Sequence, residues 1–207
     1  MNINPTNKTI ELLHRIAAHP WVYDGIQALA GQPRILALIS EKTVNMLPET
    51  VVDVGGGTGA SRKLWPPSCR YVCLDIELAK LKRFRAKVPG GFAVLSDARR
   101  MSIATGSADV VLCMAVIHHL SDVVFEELID EACRVLKIHG QLILLDPVLN
   151  RERWMGRALW KLDRGSYPRT AEELRKKLEG KFKIIHWQKH AIFHEYVFGI
   201  GARGYRT

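Results

Sequence analysis

Short apolar runs alternate with amphipathic stretches along most of this chain. The runs at 51–54 (VVDV), 71–75 (YVCLD), 92–95 (FAVL), 109–114 (DVVLCM) and 141–146 (QLILLD) are nearly continuous and rich in β-branched residues, as strands buried on both faces are. Between them, the stretches near 59–65, 77–87 and 122–137 read as helices. Strand, helix, strand at this interval predicts right-handed crossovers and a mostly parallel sheet covered on both sides. The two ends differ. Residues 6–47 read as helical with no strand candidate. From Phe182 onward, FKIIHWQKH and AIFHEYVFGIGAR follow each other too closely for a parallel crossover, so an antiparallel pair is expected. The pattern predicts an α/β doubly wound sheet of seven strands in one domain over 1–207. Its parts are a helical cap over 1–47, a core over 48–148, an insertion over 149–170, and a last helix with a C-terminal hairpin over 171–207.

Composition adds limits. With 207 residues, 47% hydrophobic and 25% charged, the chain can bury a proper core as one ordinary globular domain. No apolar run approaches the roughly 18 residues of a membrane helix, and MNINPTNKTIELLHR lacks the basic-then-apolar layout of a secretory signal. Cys69, Cys73, Cys113 and Cys133 form no Cys-x-x-Cys pair and have no histidine at zinc spacing, so reduced thiols, no metal and a cytoplasmic setting are expected. A net charge of +9 and a pI near 9.6 point toward acidic partners: nucleic acid, an anionic membrane surface or a negatively charged substrate. A merely solvated basic surface explains the same charge.

The chemistry concentrates in VVDVGGGTGA, 51–60. A P-loop needs Gly-Lys-Ser/Thr after four spacer residues, and Arg62-Lys63 is followed by Leu64. Gly55-x-Gly57-x-x-Ala60 fits a dinucleotide fingerprint, with Asp75 about twenty residues on. A dehydrogenase also needs catalytic groups, and the chain has no Tyr-x-x-x-Lys pair. A third template is Asp-x-Gly-x-Gly-x-Gly. Here glycines let backbone approach a ligand closely, Asp53 at the strand's C-terminal end can sit near a cationic ammonium, and Asp75 ends the next strand, where a carboxylate can accept from both ribose hydroxyls.

This DVGGGTG run resembles the first motif of the class I S-adenosylmethionine-dependent methyltransferases, and the likeness continues in order through LSDARRMSIATGSADVVLCMAVIHHL and EEACRVLKIHGQLILLDP to the final hairpin, over about residues 45–207. The usual proline-glycine-glycine turn here reads Ile138-His139-Gly140. The resemblance implies a Rossmann-like fold and S-adenosyl-L-methionine as cofactor. It implies a cofactor site of Asp53, Gly55, Gly56, Gly57, Asp75, Ile76, Asp97, Ala98 and Met114, with Asp97 accepting from the adenine amine and Tyr23 lying over the cofactor. Asp75 and Asp97 also read as ordinary cap and turn residues, and Tyr23 as a core residue.

The cofactor brings the electrophile, so few catalytic residues are required. His118 and His119, just after the fourth strand, are the candidate bases, with Asp146 beside them in reserve. They read equally as structural residues of a loop. Between 149 and 170, Met155, Ala158, Leu159 and Leu162 share one helical face, and Arg153, Arg157, Lys161 and Arg164 another. Such an insertion closes over an anionic acceptor, lies on a membrane, or simply docks. Thr170 with Glu173 reads as a capping box. The expected activity is methyl transfer to a small-molecule acceptor, anionic or lipid-linked. The alternatives are an RNA methyltransferase, a non-catalytic binding protein of the same fold, and an NAD-dependent oxidoreductase.

Overall fold

A computed structural model describes residues 32–150, 167–191 and 195–204. Helix α1 (Gln32–Thr43) precedes β1 (Thr50–Val54), which a glycine turn and a 3-10 segment (Ala60–Leu64) connect to β2 (Arg70–Asp75). There follow α2 (Leu78–Lys87), β3 (Phe92–Leu95), β4 (Ala108–Met114), a 3-10 turn (Ile117–His119), α3 (Asp122–Val135) and β5 (Leu136–Val148). The chain ends with α4 (Ala171–Glu179), β6 (Phe182–Ala191) and β7 (Glu195–Arg203).

The strands form one seven-stranded sheet in the order β3-β2-β1-β4-β5-β7-β6. The first five pair in parallel, while β7 runs antiparallel to both β5 and β6. Strand alternation sorts the core into two layers. Val52, Val54, Val72, Leu74, Val111 and Leu142 face α3 and α4; Val51, Tyr71, Cys73, Val110, Leu112 and Ile143 face α1 and α2. The parallel part is covered on both sides, as its apolar runs predict. β1 leads outward to β2 and β3 while β4 and β5 build the other way, so the order switches between β1 and β4. Ligands bind at such switch points, outside the carboxyl ends of the strands.

Two expected elements differ. The helix near 59–65 is only a 3-10 segment, because Trp65 is extended (φ −116°, ψ 147°) before Pro66, and a residue preceding proline avoids helical angles. The helix expected to reach 137 stops at Val135, and β5 is longer than 141–146. Leu136 already pairs with Ala108, and β7 pairs with β5 as far as Val148. The turn within β5 places His139 at φ 67°. All four cysteines are buried free thiols. The capping box is formed: the Glu173 N–H donates to Thr170 Oγ1 (3.2 Å) and the Thr170 N–H to Glu173 Oε2 (2.8 Å). No helix among the described residues is long and apolar enough to cross a membrane.

Candidate active site

The glycine turn lies at the switch point and is tied to the next strand. The N–H groups of Gly55 and Gly56 donate to the Leu74 carbonyl (2.8 and 3.2 Å), and that of Gly57 to Asp75 Oδ2 (3.1 Å). Gly55 and Gly57 have φ of +67° and +56°, angles that strain any side chain. A β-carbon on Gly55 would stand 2.7 Å from Val116 Cγ2, whereas one on Gly57 would meet nothing nearer than 3.9 Å. The turn is therefore packed from one side and open to close approach at Gly57.

Asp75 holds two positions at once. Its Oδ1 accepts from the Glu77 N–H (2.8 Å), which fixes the turn before α2; Glu77 itself stands at the N-cap with no side-chain cap bond, so Asp75 orders the approach to the helix and does not cap it. Each carboxylate oxygen has a second lone pair, which leaves acceptor capacity for ribose hydroxyls. Ile76, next to it, is 69% exposed, a bare apolar side chain suited to a flat base. Ala98 is half-buried against the core, and Met114 half-buried with its sulfur 4.0 Å from Ser61 Oγ. Asp97 is differently engaged than expected: its carboxylate accepts from Arg99 Nε (3.1 and 3.0 Å), Nη2 (2.7 Å) and backbone N–H (2.8 Å), and these bonds hold its pKa below the usual carboxylate range. Tyr23 lies outside the described residues, as do Arg153, Arg157, Lys161 and Arg164.

Asp53 is not on the open wall of the crevice. It is 1% exposed, directly beneath the turn: a β-carbon on Gly56 would come within 3.0 Å of its carboxyl carbon. Tyr71 donates its hydroxyl to Asp53 Oδ2, and Ser61 is a further hydrogen-bonding neighbour. Burial pushes the Asp53 pKa up to about 7, against the lowering effect of these two hydroxyls, and neighbouring Asp75 raises it further. No Lys or Arg acts on it among the described residues. A buried acid answered only by neutral donors fits a ligand that brings positive charge to the turn. S-adenosylmethionine, with its ammonium and sulfonium, fits these residues.

The second half of the site is the loop after β4. Asp146, at the end of β5 and 1% exposed, accepts from the N–H groups of Val116 (3.0 Å), Ile117 (2.8 Å) and His118 (3.0 Å), and its Oδ1 is 2.7 Å from His118 Nδ1. His118 is 7% exposed; His119 is exposed, its ring 3.9 Å from that of His118 between centroids. The two candidate bases are thus not equivalent: His118 is buried and oriented by Asp146, while His119 is exposed. Arg169 grips the loop from the other side, donating to the carbonyls of Ile117 (3.2 Å) and Leu120 (2.7 Å) and to Asp122 Oδ1 (2.8 Å). Both flanks of the insertion are tied nearby: the Leu149 N–H donates to the Arg169 carbonyl (2.8 Å) and the Tyr167 N–H to the His118 carbonyl (2.6 Å). Among the described residues no cluster of three His, Cys, Asp or Glu could hold a metal.

The roles of Tyr71, Ser61 and Arg169 are not read from sequence. Tyr71 left one signal, a hydroxyl in an otherwise apolar buried strand; Arg169 left none.

Known proteins share this architecture. Residues 52–144 match the family described as a methyltransferase domain. Thiol S-methyltransferase TMT1A of Homo sapiens is 31% identical over 107 residues, covering 48% of this chain and 43% of that protein. A malonyl-[acyl-carrier protein] O-methyltransferase of Neorickettsia risticii (strain Illinois) is 28% identical over 121 residues, covering 56% of this chain and 46% of the relative. The chain thus spans less than half the length of these curated relatives. The S-adenosylmethionine-dependent methyltransferase SibL superposes with a TM-score of 0.72 at 19% identity, over 93% of this chain and 62% of that one. The PH0226 protein from Pyrococcus horikoshii OT3 gives 0.70 at 17% identity, over 89% and 92%. These structures share the fold. With the glycine turn, the acid beneath it and the acid ending β2, the match over residues 52–144 supports one conclusion: this part of the chain is a methyltransferase domain of the kind that uses S-adenosylmethionine.

Proposed function

We propose that this chain transfers the methyl group of S-adenosylmethionine to a small-molecule acceptor, anionic or lipid-linked, at the mouth beside the ends of β4 and β5. The observation that carries the reading is the buried carboxyl of Asp53, which no Lys or Arg of the described residues acts on, beneath a glycine turn that also faces Asp75. The cofactor, when bound, supplies a methyl carbon activated by a positive sulfur, so the protein's task is alignment and, where necessary, removal of a proton.

This chain's residues divide those tasks. Gly55–Gly57 present backbone to the ligand, Asp75 accepts from its hydroxyls, and exposed Ile76 covers its base. On the acceptor side, the 2.7 Å contact with Asp146 fixes a proton on His118 Nδ1 when the ring is neutral, which leaves Nε2 as the basic nitrogen. A thiol or hydroxyl acceptor gives its proton to such a base; a carboxylate acceptor has none to give. The two curated relatives carry one name of each kind, a thiol and a malonyl acceptor.

The anionic preference rests on where the charge sits. Residues 62–100, which build the β2, α2 and β3 edge of the sheet, carry ten Lys and Arg against three Asp and Glu. At the opposite edge Arg175, Lys177, Lys181 and Lys189 each pair with an acid. The same basic edge supports an anionic membrane surface as the place where a lipid-linked acceptor is met; RNA is the alternative occupant of that charge.

Thermal shift with S-adenosylmethionine, S-adenosylhomocysteine and NAD at equal concentration tests the cofactor. At a hundred times its dissociation constant a ligand adds about 2.7 kcal/mol. Stabilisation by NAD alone overturns the reading. Labelled methyl transfer to an alkyl thiol, a malonyl thioester and RNA then decides the acceptor, and activity on RNA alone removes the small-molecule assignment.

A further inference from the structure

The buried seat of Asp53 implies more than a cofactor contact. We propose that Tyr71 is a positioning residue that holds the Asp53 carboxyl under the glycine turn, so that seating the cofactor's ammonium on the turn is coupled to release of a proton from Asp53. The inference rests on the cofactor reading above and concerns what this chain does on binding that ligand.

The geometry isolates the carboxyl. β1 and β2 pair in the register Asp53 to Cys73, so Tyr71, two residues earlier on β2, is the diagonal neighbour on the same face. Its hydroxyl donates to Asp53 Oδ2 while its ring packs on Phe84 of α2, with centroids 5.8 Å apart, and lies under the Arg62 guanidinium at 5.9 Å. That packing leaves the phenol little freedom to swing away. Among the described residues, the titratable groups that act on the carboxyl are neutral or negative: Tyr71 and Cys73 on β2, Cys113 on β4, and Asp75 at the end of β2. Burial holds the phenol and both thiols in their neutral, protonated forms, so they add no charge beside the carboxyl.

The consequence is a linkage. Near pH 7 the ligand-free protein carries Asp53 partly protonated, and a cation within a few ångströms favours the carboxylate. Binding then expels the proton to solvent, and affinity rises with pH until the carboxyl is ionised before the ligand arrives. Tyr71 sets where that happens. Its hydrogen bond stabilises the carboxylate, so its loss moves the rise to higher pH.

Isothermal titration of the full chain tests this. S-adenosylhomocysteine carries the ammonium, and 5′-methylthioadenosine, a neutral nucleoside with the same adenosine but no amino-acid end, does not. Between pH 5.5 and 7.5 the homocysteine compound should tighten by roughly tenfold or more, with proton release seen as a dependence on buffer ionisation enthalpy. The nucleoside should show neither. In Tyr71→Phe the rise should move to higher pH for the first ligand and leave the second unchanged; Ser61→Ala, a smaller change at the same carboxyl, should move it in the same direction. Tight but pH-independent binding of S-adenosylhomocysteine overturns the coupling and leaves the cofactor reading standing. An equal pH dependence for both ligands overturns it too, since the ammonium would not be the cause. A failure of S-adenosylhomocysteine to bind at any pH removes both.

Discussion

Asp53 and Asp146 are the same residue type, each 1% exposed and each at the carboxyl end of a central strand, yet they do opposite work. Asp146 is answered completely: three backbone N–H groups and a histidine ring surround it. Its charge is used up in fixing the β4 loop. Asp53 is answered by two hydroxyls, and a second acid stands nearby. Among the described residues no cation meets its charge, which leaves that demand open to a ligand. Burial alone therefore does not make a carboxylate functional. The sign and number of its partners separate a structural acid from a binding one.

The same substitution should separate them experimentally. Asp146→Asn keeps the shape but turns an amide toward N–H donors, leaving at least one buried donor without an acceptor. A loss of about 3 kcal/mol or more is expected in urea denaturation at any pH where the wild type folds. If Asp146→Asn were as stable as the wild type, the claim that Asp146 organises the loop would be wrong. His118→Gln keeps a polar side chain beside Asp146, so it should leave S-adenosylhomocysteine affinity within about twofold. For a thiol or hydroxyl acceptor, kcat should fall on the order of a hundredfold or more, the usual yield of a general base. For a carboxylate acceptor, kcat should hardly change. This experiment sharpens the comparison and reads the acceptor class at once. Gly56→Ala probes the Asp53 side: its β-carbon would stand 2.8 Å from Cys73 Sγ and 3.0 Å from the Asp53 carboxyl, both inside the core. Cofactor affinity should drop about tenfold or more (~1.4 kcal/mol) by titration calorimetry, through displacement of the carboxyl. Unchanged affinity would show that the seat does not depend on Asp53.

What was legible in the sequence follows the range of the interaction that fixes it. The strands and the mostly parallel core could be read because apolar runs and crossover spacing are local signals, and Asp75 because it ends an apolar strand just before the next helix. Trp65-Pro66 carries the information that an α-helix cannot run on past 64, a signal local to one dipeptide and easily masked by the helical look of the residues before it. The ends of β5 differ from the local reading because partners distant in sequence fix them: Ala108 of β4 pairs with Leu136, and β7 pairs as far as Val148. His118 and His119 could not be told apart, since the difference is Asp146, 28 residues away and brought close by the β4–β5 register of Met114 to Leu145. Tyr71 escaped for the same reason, its tie to Asp53 being a property of the β1–β2 register. Asp97 was legible as a carboxylate at the right place, but not its capture by Arg99.

The smallest expected effect is also the most specific to Asp53. Its pKa in the folded chain is pushed up to about 7, above the ordinary 3.8 of the unfolded one. Between those values the native state therefore holds the proton more tightly than the unfolded state does. The resulting stabilisation is complete below about pH 4 and is lost as pH rises through 7. Asp53→Asn removes the titration and keeps an acceptor for the Tyr71 hydroxyl, so the ligand-free variant should be no less stable than wild type at pH 8. A gain on the order of 1 kcal/mol is expected there, and the gain should fade toward pH 5. Urea denaturation at three pH values measures it. The variant should at the same time bind S-adenosylhomocysteine more weakly, with no dependence on pH. Stability lost and affinity kept would place Asp53 with Asp146 as a structural acid, and the contrast between the two carboxylates would disappear. Stability kept and affinity lost would mark Asp53 as a group the fold holds at some cost to itself, because the ligand requires it.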